Sequence, residues 1–258
     1  MAFDVRQVDL RKLNSLTKYP SIPTYHTMGP RNGILLDEFL QFEESVLATE
    51  KVDGTNARIV FTPGRTFLLG SREEFHYARG DLIGNPSMGV VDALRPLGER
   101  LCDTVAQPDA VVVYFGELYG GKITANSKQY TTTQRVGFRL FDVIVMTDFE
   151  AQLDQPAESI STWREGGGQA FVDEETLQAI ARDADIPLTP RIAEITQAEL
   201  PSTLPGGAEF LARWMTHSQC TLDEAAVGRP EGLVIRTRDR KRIAKLRFED
   251  YQRTLRQK

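Results

Sequence analysis

The sequence predicts a single α+β domain, and three observations carry that prediction. Strand-length runs of β-branched and aromatic residues fill the stretch from Ser45 to Met146 and return near the end. Amphipathic helical patterns are few and lie between those runs. Neither an internal repeat nor a linker divides the chain. At 258 residues and 29.0 kDa there is enough material for a sizeable core. The 41% hydrophobic and 26% charged composition excludes disorder, collagen-like repetition and a disulfide scaffold.

Residues 1–45 mix polar stretches with Pro20, Pro23 and Pro30, and LDEFLQFEES at 36–45 reads as one or two helical turns. SVLATEKV, NARIVFT and TFLLGS follow as strands, separated by Asp-Gly and Pro-Gly turn signals. Apolar residues at helical spacing predict a helix over 88–105, and AVVVYFGELYGG and VGFRLFDVIVM then read as central strands. Residues 147–170 are polar and Gly-rich, without a clear period. Asp173 caps a helix that stops near Pro187, and 208–219 is a second amphipathic candidate. EGLVIRT and RIAKLRF restore strand texture before a short basic tail.

The net charge of -5 argues at first against a nucleic-acid binder, but it hides clustering. Residues 229–258 carry 11 basic and 4 acidic side chains, so +7, and the other 228 residues carry -12. Cys102 and Cys220 stand far apart without CxxC spacing, which fits free thiols in a reducing compartment. With no signal-type h-region and no run of eighteen apolar residues, the expected location is the cytoplasm and no membrane contact is expected.

Residues 50–56 read Glu-Lys-Val-Asp-Gly-Thr-Asn, which alone is a strand ending in a turn. Downstream, Glu117 lies in VVVYFGELYGG, Phe138 in GFRLFDV, Glu231 in EGLVIR, and Lys245 with Arg247 in RIAKLRF. These five segments, in this order, resemble the motifs of the covalent nucleotidyltransferases, the superfamily of polynucleotide ligases and RNA capping enzymes. The KYPSIP lead-in at 18–23, the KxDGTN form of the first motif and Arg72 in Gly-Ser-Arg are most similar to the RNA ligase 2 branch. The resemblance implies one ATP-grasp-like nucleotidyltransferase domain over residues 1–258. It would have two packed antiparallel sheets flanked by helices, with the nucleotide in the groove between them.

The same resemblance implies a role for each residue. Lys51 is the nucleophile that takes AMP from ATP, and Lys245 and Arg247 activate it and hold the triphosphate, since neighbouring cations favour the unprotonated amine. Glu117 and Glu231 offer hard oxygen ligands to Mg²⁺ or Mn²⁺. Glu50, Asp53, Asn56 and Arg72 contact nucleoside or phosphate, and Phe138 stacks on adenine. Strict alternation sets Phe138, Leu140 and Asp142 on one face and Arg139, Phe141 and Val143 on the other, so Phe141 is left to the core. It also puts Lys245 and Arg247 on one face. A carboxylate inside an apolar run is costly unless it has work to do, which favours function at Glu117 and Glu231. SREEF around Arg72 equally reads as an exposed charged turn. His26, His76, His217, Trp163 and Trp214 read as structural or solvent-exposed.

The implied activity is ATP-dependent joining of RNA 3′-hydroxyl and 5′-phosphate ends, acting on RNA ends or a nicked duplex. Rival readings are a ligase or 5′-adenylyltransferase acting on DNA or RNA–DNA hybrids, and an inactive nucleic-acid-binding module. The sequence departs from relatives in having Arg247 where many carry lysine. The 13 residues after Lys245 leave no room for an appended OB-fold or C-terminal domain, so an accessory protein is a further candidate partner.

Overall fold

A computed structural model describes residues 4–30, 33–78, 81–83 and 89–256. In chain order its elements are α1 (Leu10–Leu16), β1 (His26–Met28), β2 (Leu35–Phe39), β3 (Val46–Lys51), β4 (Thr55–Thr62), β5 (Thr66–Ser71), β6 (Phe75–Ala78) and β7 (Asp81–Leu82). Next come α2 (Val90–Val105), β8 (Val111–Gly120), β9 (Val136–Met146), α3 (Phe149–Leu153), α4 (Ala157–Glu165) and α5 (Glu174–Asp183). The last are β10 (Arg191–Ile195), α6 (Leu204–Trp214), β11 (Gly232–Arg236), β12 (Ile243–Arg247) and α7 (Phe248–Leu255).

The strands pair antiparallel into a six-stranded sheet of order β7-β6-β5-β4-β8-β9, a four-stranded sheet of order β10-β3-β11-β12, and a β1-β2 hairpin. Alternation along each strand explains the layering. One face of the six-stranded sheet sends Ala57, Ile59, Tyr114, Leu118 and Leu140 against α2 and α5. Its other face packs Val60, Val113, Phe115 and Ile144 against α1 and α4. In the four-stranded sheet Val46, Ala48, Leu233, Ile235 and Leu246 bury against α6, α7 and the hairpin, while the alternate residues face a cleft between the two large sheets. This is the predicted α+β architecture of two packed antiparallel sheets, with the hairpin added.

Several elements depart from the sequence expectation, each for a packing reason. Residues 35–39 form a strand, not helical turns, because β2 pairs with β1 and the hairpin rests on α7. The unpatterned 147–170 stretch holds α3 and α4, anchored by Phe149 and Ile160, too few buried apolar residues to write a period. α6 begins at Leu204, earlier than predicted, since Pro205 is tolerated in a first turn and Gly207 lies flat on Tyr251. The basic tail folds into α7, whose buried face is Asp250, Tyr251 and Thr254. Met88, which opens the predicted 88–105 helix, lies outside the described residues; Gly89 is the N-cap of α2, which covers the rest. Asp173 caps α5 as expected, accepting from Thr176 N at 2.8 Å.

Candidate active site

The cleft has a volume of about 430 Å³. Its four-stranded wall is built by register. Lys51, Gly232 and Arg247 are aligned across β3, β11 and β12, and Thr49, Val234 and Lys245 form the next row. All but Gly232 line the cleft, so Lys245 and Arg247 share a face with Lys51. Gly232 leaves the space between Lys51 and Arg247 open, and a Cβ there would lie 1.9 Å from Leu246 O. The turn after Lys51 is equally constrained. Gly54 N donates to Glu117 Oε1 at 3.1 Å, and a Cβ on Gly54 would meet Leu118 O at 2.3 Å. Gly54 of the first motif is therefore required by how closely this turn approaches β8.

Lys51 Nζ lies 2.6 Å from Glu231 Oε2. Glu117 stands across the cleft beside Asn56, its direct partner on β4. Although part of Glu117 reaches the cavity surface, its carboxyl is closely enclosed. That desolvation, reinforced by the Glu231 carboxylate, pushes its pKa up to about 8 against the opposing pull of Lys51. Lys245 is lowered by burial and then by the nearby charges of Arg247 and Lys51. Asn56 Oδ1 is buried without a partner, an acceptor that a ligand donor would satisfy. Arg72 is exposed at the cleft mouth, where its Nη2 donates to Ser21 Oγ at 3.4 Å.

A match to the RNA ligase family model covers residues 44–247. The chain belongs to the RNA ligase family. No curated protein matches it in sequence. Among solved structures it is similar to an apo form of Naegleria gruberi RNA ligase, at 13% identity and TM-score 0.59, covering 94% of this chain and 59% of that one. A manganese and ATP complex of Naegleria gruberi RNA ligase matches at 14% identity and TM-score 0.56, over 95% of this chain and 63% of the other. An archaeal ATP-dependent RNA ligase matches at 18% identity and TM-score 0.54, over 91% of this chain and 49% of that chain. These likenesses establish the fold, and the chain spans about half to five-eighths of the length of those structures.

In this chain Glu50, Lys51, Asn56, Arg72, Glu117, Lys245 and Arg247 line one cleft, with Glu231 bonded to Lys51. Phe138 and Asp53 stand apart from it. Phe138 packs in the core between the six-stranded sheet and its helices, on the face away from the cleft, whereas Phe141 lines the cleft. Alternation holds between the two rings, which lie on opposite faces as expected, but it is the face of Phe141 that meets the cleft, not that of Phe138. Just beyond, a bulge in which Gly116 pairs with Leu140 and Phe115 with Asp142 leaves Phe141 as the extra residue and sets Asp142 on the cleft side as well. Asp53 turns out to Asn126 Nδ2, which donates to its Oδ2 at 2.5 Å. The Glu50 carboxylate accepts from Ser218 Oγ at 2.5 Å and from Gln219 N at 2.7 Å, so it fastens the 218–220 loop. Arg247 gives two donors of its guanidinium to Asp250, at 2.7 and 2.8 Å, leaving Nη1 4.0 Å from Glu231.

A buried charge network forms the inner end of the cleft. Asp142 accepts from Arg236 Nη1 at 2.6 Å, Arg240 Nε at 2.8 Å and Tyr19 OH at 2.5 Å. Arg236 also bonds Glu174, which holds Arg191 at 2.9 Å. Tyr19, Asp142 and Arg236 line the cleft but were not singled out from the sequence. Their signal was available: Arg236 shares the face of Val234 in EGLVIR, and Asp142 is a carboxylate inside an apolar run. Among the described residues no helix is long and apolar enough to cross a membrane.

Proposed function

We propose that residues 1–258 form an ATP-dependent RNA-joining unit that works through a covalent lysyl-AMP. The observation that carries this reading is Lys51, a lysine at the end of a strand, projecting into a cleft where two carboxylates and two further cations surround it. In the first step the Lys51 amine attacks the α-phosphate of ATP, forming a P–N bond while the α–β anhydride breaks and pyrophosphate leaves. AMP then passes to an RNA 5′-phosphate, freeing Lys51. Finally an RNA 3′-hydroxyl displaces AMP to form the phosphodiester.

The side chains fit these tasks. Phe141, exposed to the cleft, supplies the ring face for adenine stacking, and Asn56 Oδ1 supplies an unpaired acceptor for the nucleoside. Lys245 and the free edge of Arg247 face the polyphosphate, and Arg72 guards the mouth. Among the described residues no cluster of three or more His, Cys, Asp or Glu side chains suits a metal cage. Glu117 and Glu231 instead fit a hard cation such as Mg²⁺ or Mn²⁺, which commonly takes one or two carboxylates together with substrate phosphates. Bound there, the metal would neutralise charge developing on the phosphates. Support for ATP and a divalent metal also comes from the Naegleria gruberi RNA ligase solved with ATP and Mn. Incubation with labelled ATP and Mg²⁺ should add one AMP mass to the wild type and none to Lys51→Ala. Absence of the adduct in the wild type would overturn the reading.

A further inference from the structure

A second groove of about 480 Å³ opens beside the cleft, and Ile22 and Lys245 belong to both. That volume is typical of small-ligand sites, roughly 300–1,000 Å³. Its other walls are largely apolar, with Pro23, Met28, Phe39 and Leu40, and Met28 is 41% exposed. The groove is built into the fold. Tyr25 N donates to Lys245 O and Lys245 N to Pro23 O, both at 2.9 Å, so its floor pairs directly with β12 at Lys245. The β1-β2 hairpin that walls it is held on α7: Leu35 N donates to Thr254 Oγ1 at 2.9 Å, Arg253 Nη2 to Gly33 O at 3.0 Å, and His26 Nδ1 lies 2.7 Å from Tyr251 OH.

We infer that this groove holds a nucleotide of the RNA strand next to the reacting end, with its base against Met28 and Phe39 and its phosphate on Lys245. A ligand here must combine an apolar flat face with an anion, because the walls are apolar and the cation stands where the groove meets the cleft. Nucleotides have both, and the shared Lys245 sets whatever occupies the groove beside Lys51. Arg242 bonds Gln41 O, next to Leu40, outside the groove lining, and pairs with Glu43 at 3.7 Å, so Lys245 is the cation the groove itself offers. Asp37 and Glu38 lie on the same hairpin, but neither lines the groove.

This inference rests on the ligase reading, and the test separates the two. Adenylylation needs only ATP and metal. Sealing of a pre-adenylylated RNA, in which the 3′-hydroxyl oxygen bonds to phosphorus, AMP leaves and the hydroxyl proton goes to solvent, also needs the strand. With the full chain, Met28→Glu should form the lysyl-AMP within twofold of wild type but seal pre-adenylylated RNA at least tenfold more slowly, with a raised KM for RNA. Met28→Leu should restore sealing. An RNA carrying 4-thiouridine beside the reacting end should photocrosslink within residues 22–40. Wild-type sealing by Met28→Glu, a crosslink mapped elsewhere, or loss of its adduct would overturn the groove assignment. An absent adduct in the wild type would instead overturn the ligase reading.

Discussion

Lys51 Nζ and Glu231 Oε2 stand 2.6 Å apart, so the lysine proposed as nucleophile is held by a carboxylate from the residue just before β11, the strand that pairs with its own. The pair positions the amine and offers a base for its proton. Glu231→Gln keeps the shape and removes the charge, and it should slow adduct formation by about 10²–10³-fold, the usual cost of losing one preorganised electrostatic partner. Single-turnover transfer of label from ATP measures this. Lys51→Arg should give no adduct at all.

Phe138 and Phe141 lie on opposite faces of β9, and the proposed roles differ accordingly. Phe141→Ala should weaken ATP binding by about 1–3 kcal/mol, the range for base–aromatic stacking, or roughly 5- to 150-fold in apparent Kd. Phe138→Ala should instead cost about 3 kcal/mol of stability, the lower end for such truncations, because its ring fills the space over Gly116 and keeps some exposure. Nucleotide titration and chemical denaturation of both variants check the division.

Most of the site was legible from residue type and order, and the misses share a physical cause. Lys51, Glu117, Glu231, Lys245 and Arg247 converge because regular strand pairing preserves register, which is what alternation encodes. Alternation in GFRLFDV separates Phe138 from Phe141 but does not say which face meets the cleft, and the bulge at Phe141, which sets Asp142 on the cleft side, is not marked in the segment either. Side chains that turn to loops far along the chain are hidden in the same way. Glu50 meets Ser218 and Asp53 meets Asn126, contacts that exist only after folding. α7 reads as a basic tail because its buried face is only a few residues wide and one of them is the charged Asp250.

Glu117 makes stability depend on pH. The folded chain keeps its proton up to about pH 8, whereas the ordinary value is 4.5. Between those values the folded state binds more protons than the unfolded one, so stability falls as pH rises through this window. Glu117→Gln should flatten that part of the profile, as followed by urea midpoints from pH 4.5 to 8.5 without nucleotide or metal.

The basic segment is largely neutralised from within. Arg236, Arg238, Arg240, Arg247 and Arg253 each already hold a carboxylate. The +7 of residues 229–258 therefore overstates what is offered to phosphate. If Lys245 and Arg72 supply the contacts, single-stranded RNA affinity should fall with salt at a log–log slope of about -1.4, two phosphates at roughly -0.7 each. Fluorescence anisotropy across 50–300 mM salt reads the slope.

Asp142 should be far costlier to alter than its distance from Lys51 suggests. Asp142→Asn leaves Arg236 and Arg240 buried without their shared counter-charge, and such losses typically cost about 3–5 kcal/mol. Denaturation midpoints measure this directly.

The same residue limits how the molecule can move. Asp142 belongs to the six-stranded sheet and Arg236 to the four-stranded one, with Tyr19 and Arg240 closing the knot. Domain closure needs a joint that yields, and this end of the cleft is riveted. Breathing is thereby confined to the opposite lip, near Ser21 and Arg72, where the surface is open. The jaws are pinned at the back, so nucleotide, pyrophosphate and strand pass on the open side, where Ser21 and Arg72 flank the cleft and the neighbouring groove joins it at Ile22 and Lys245.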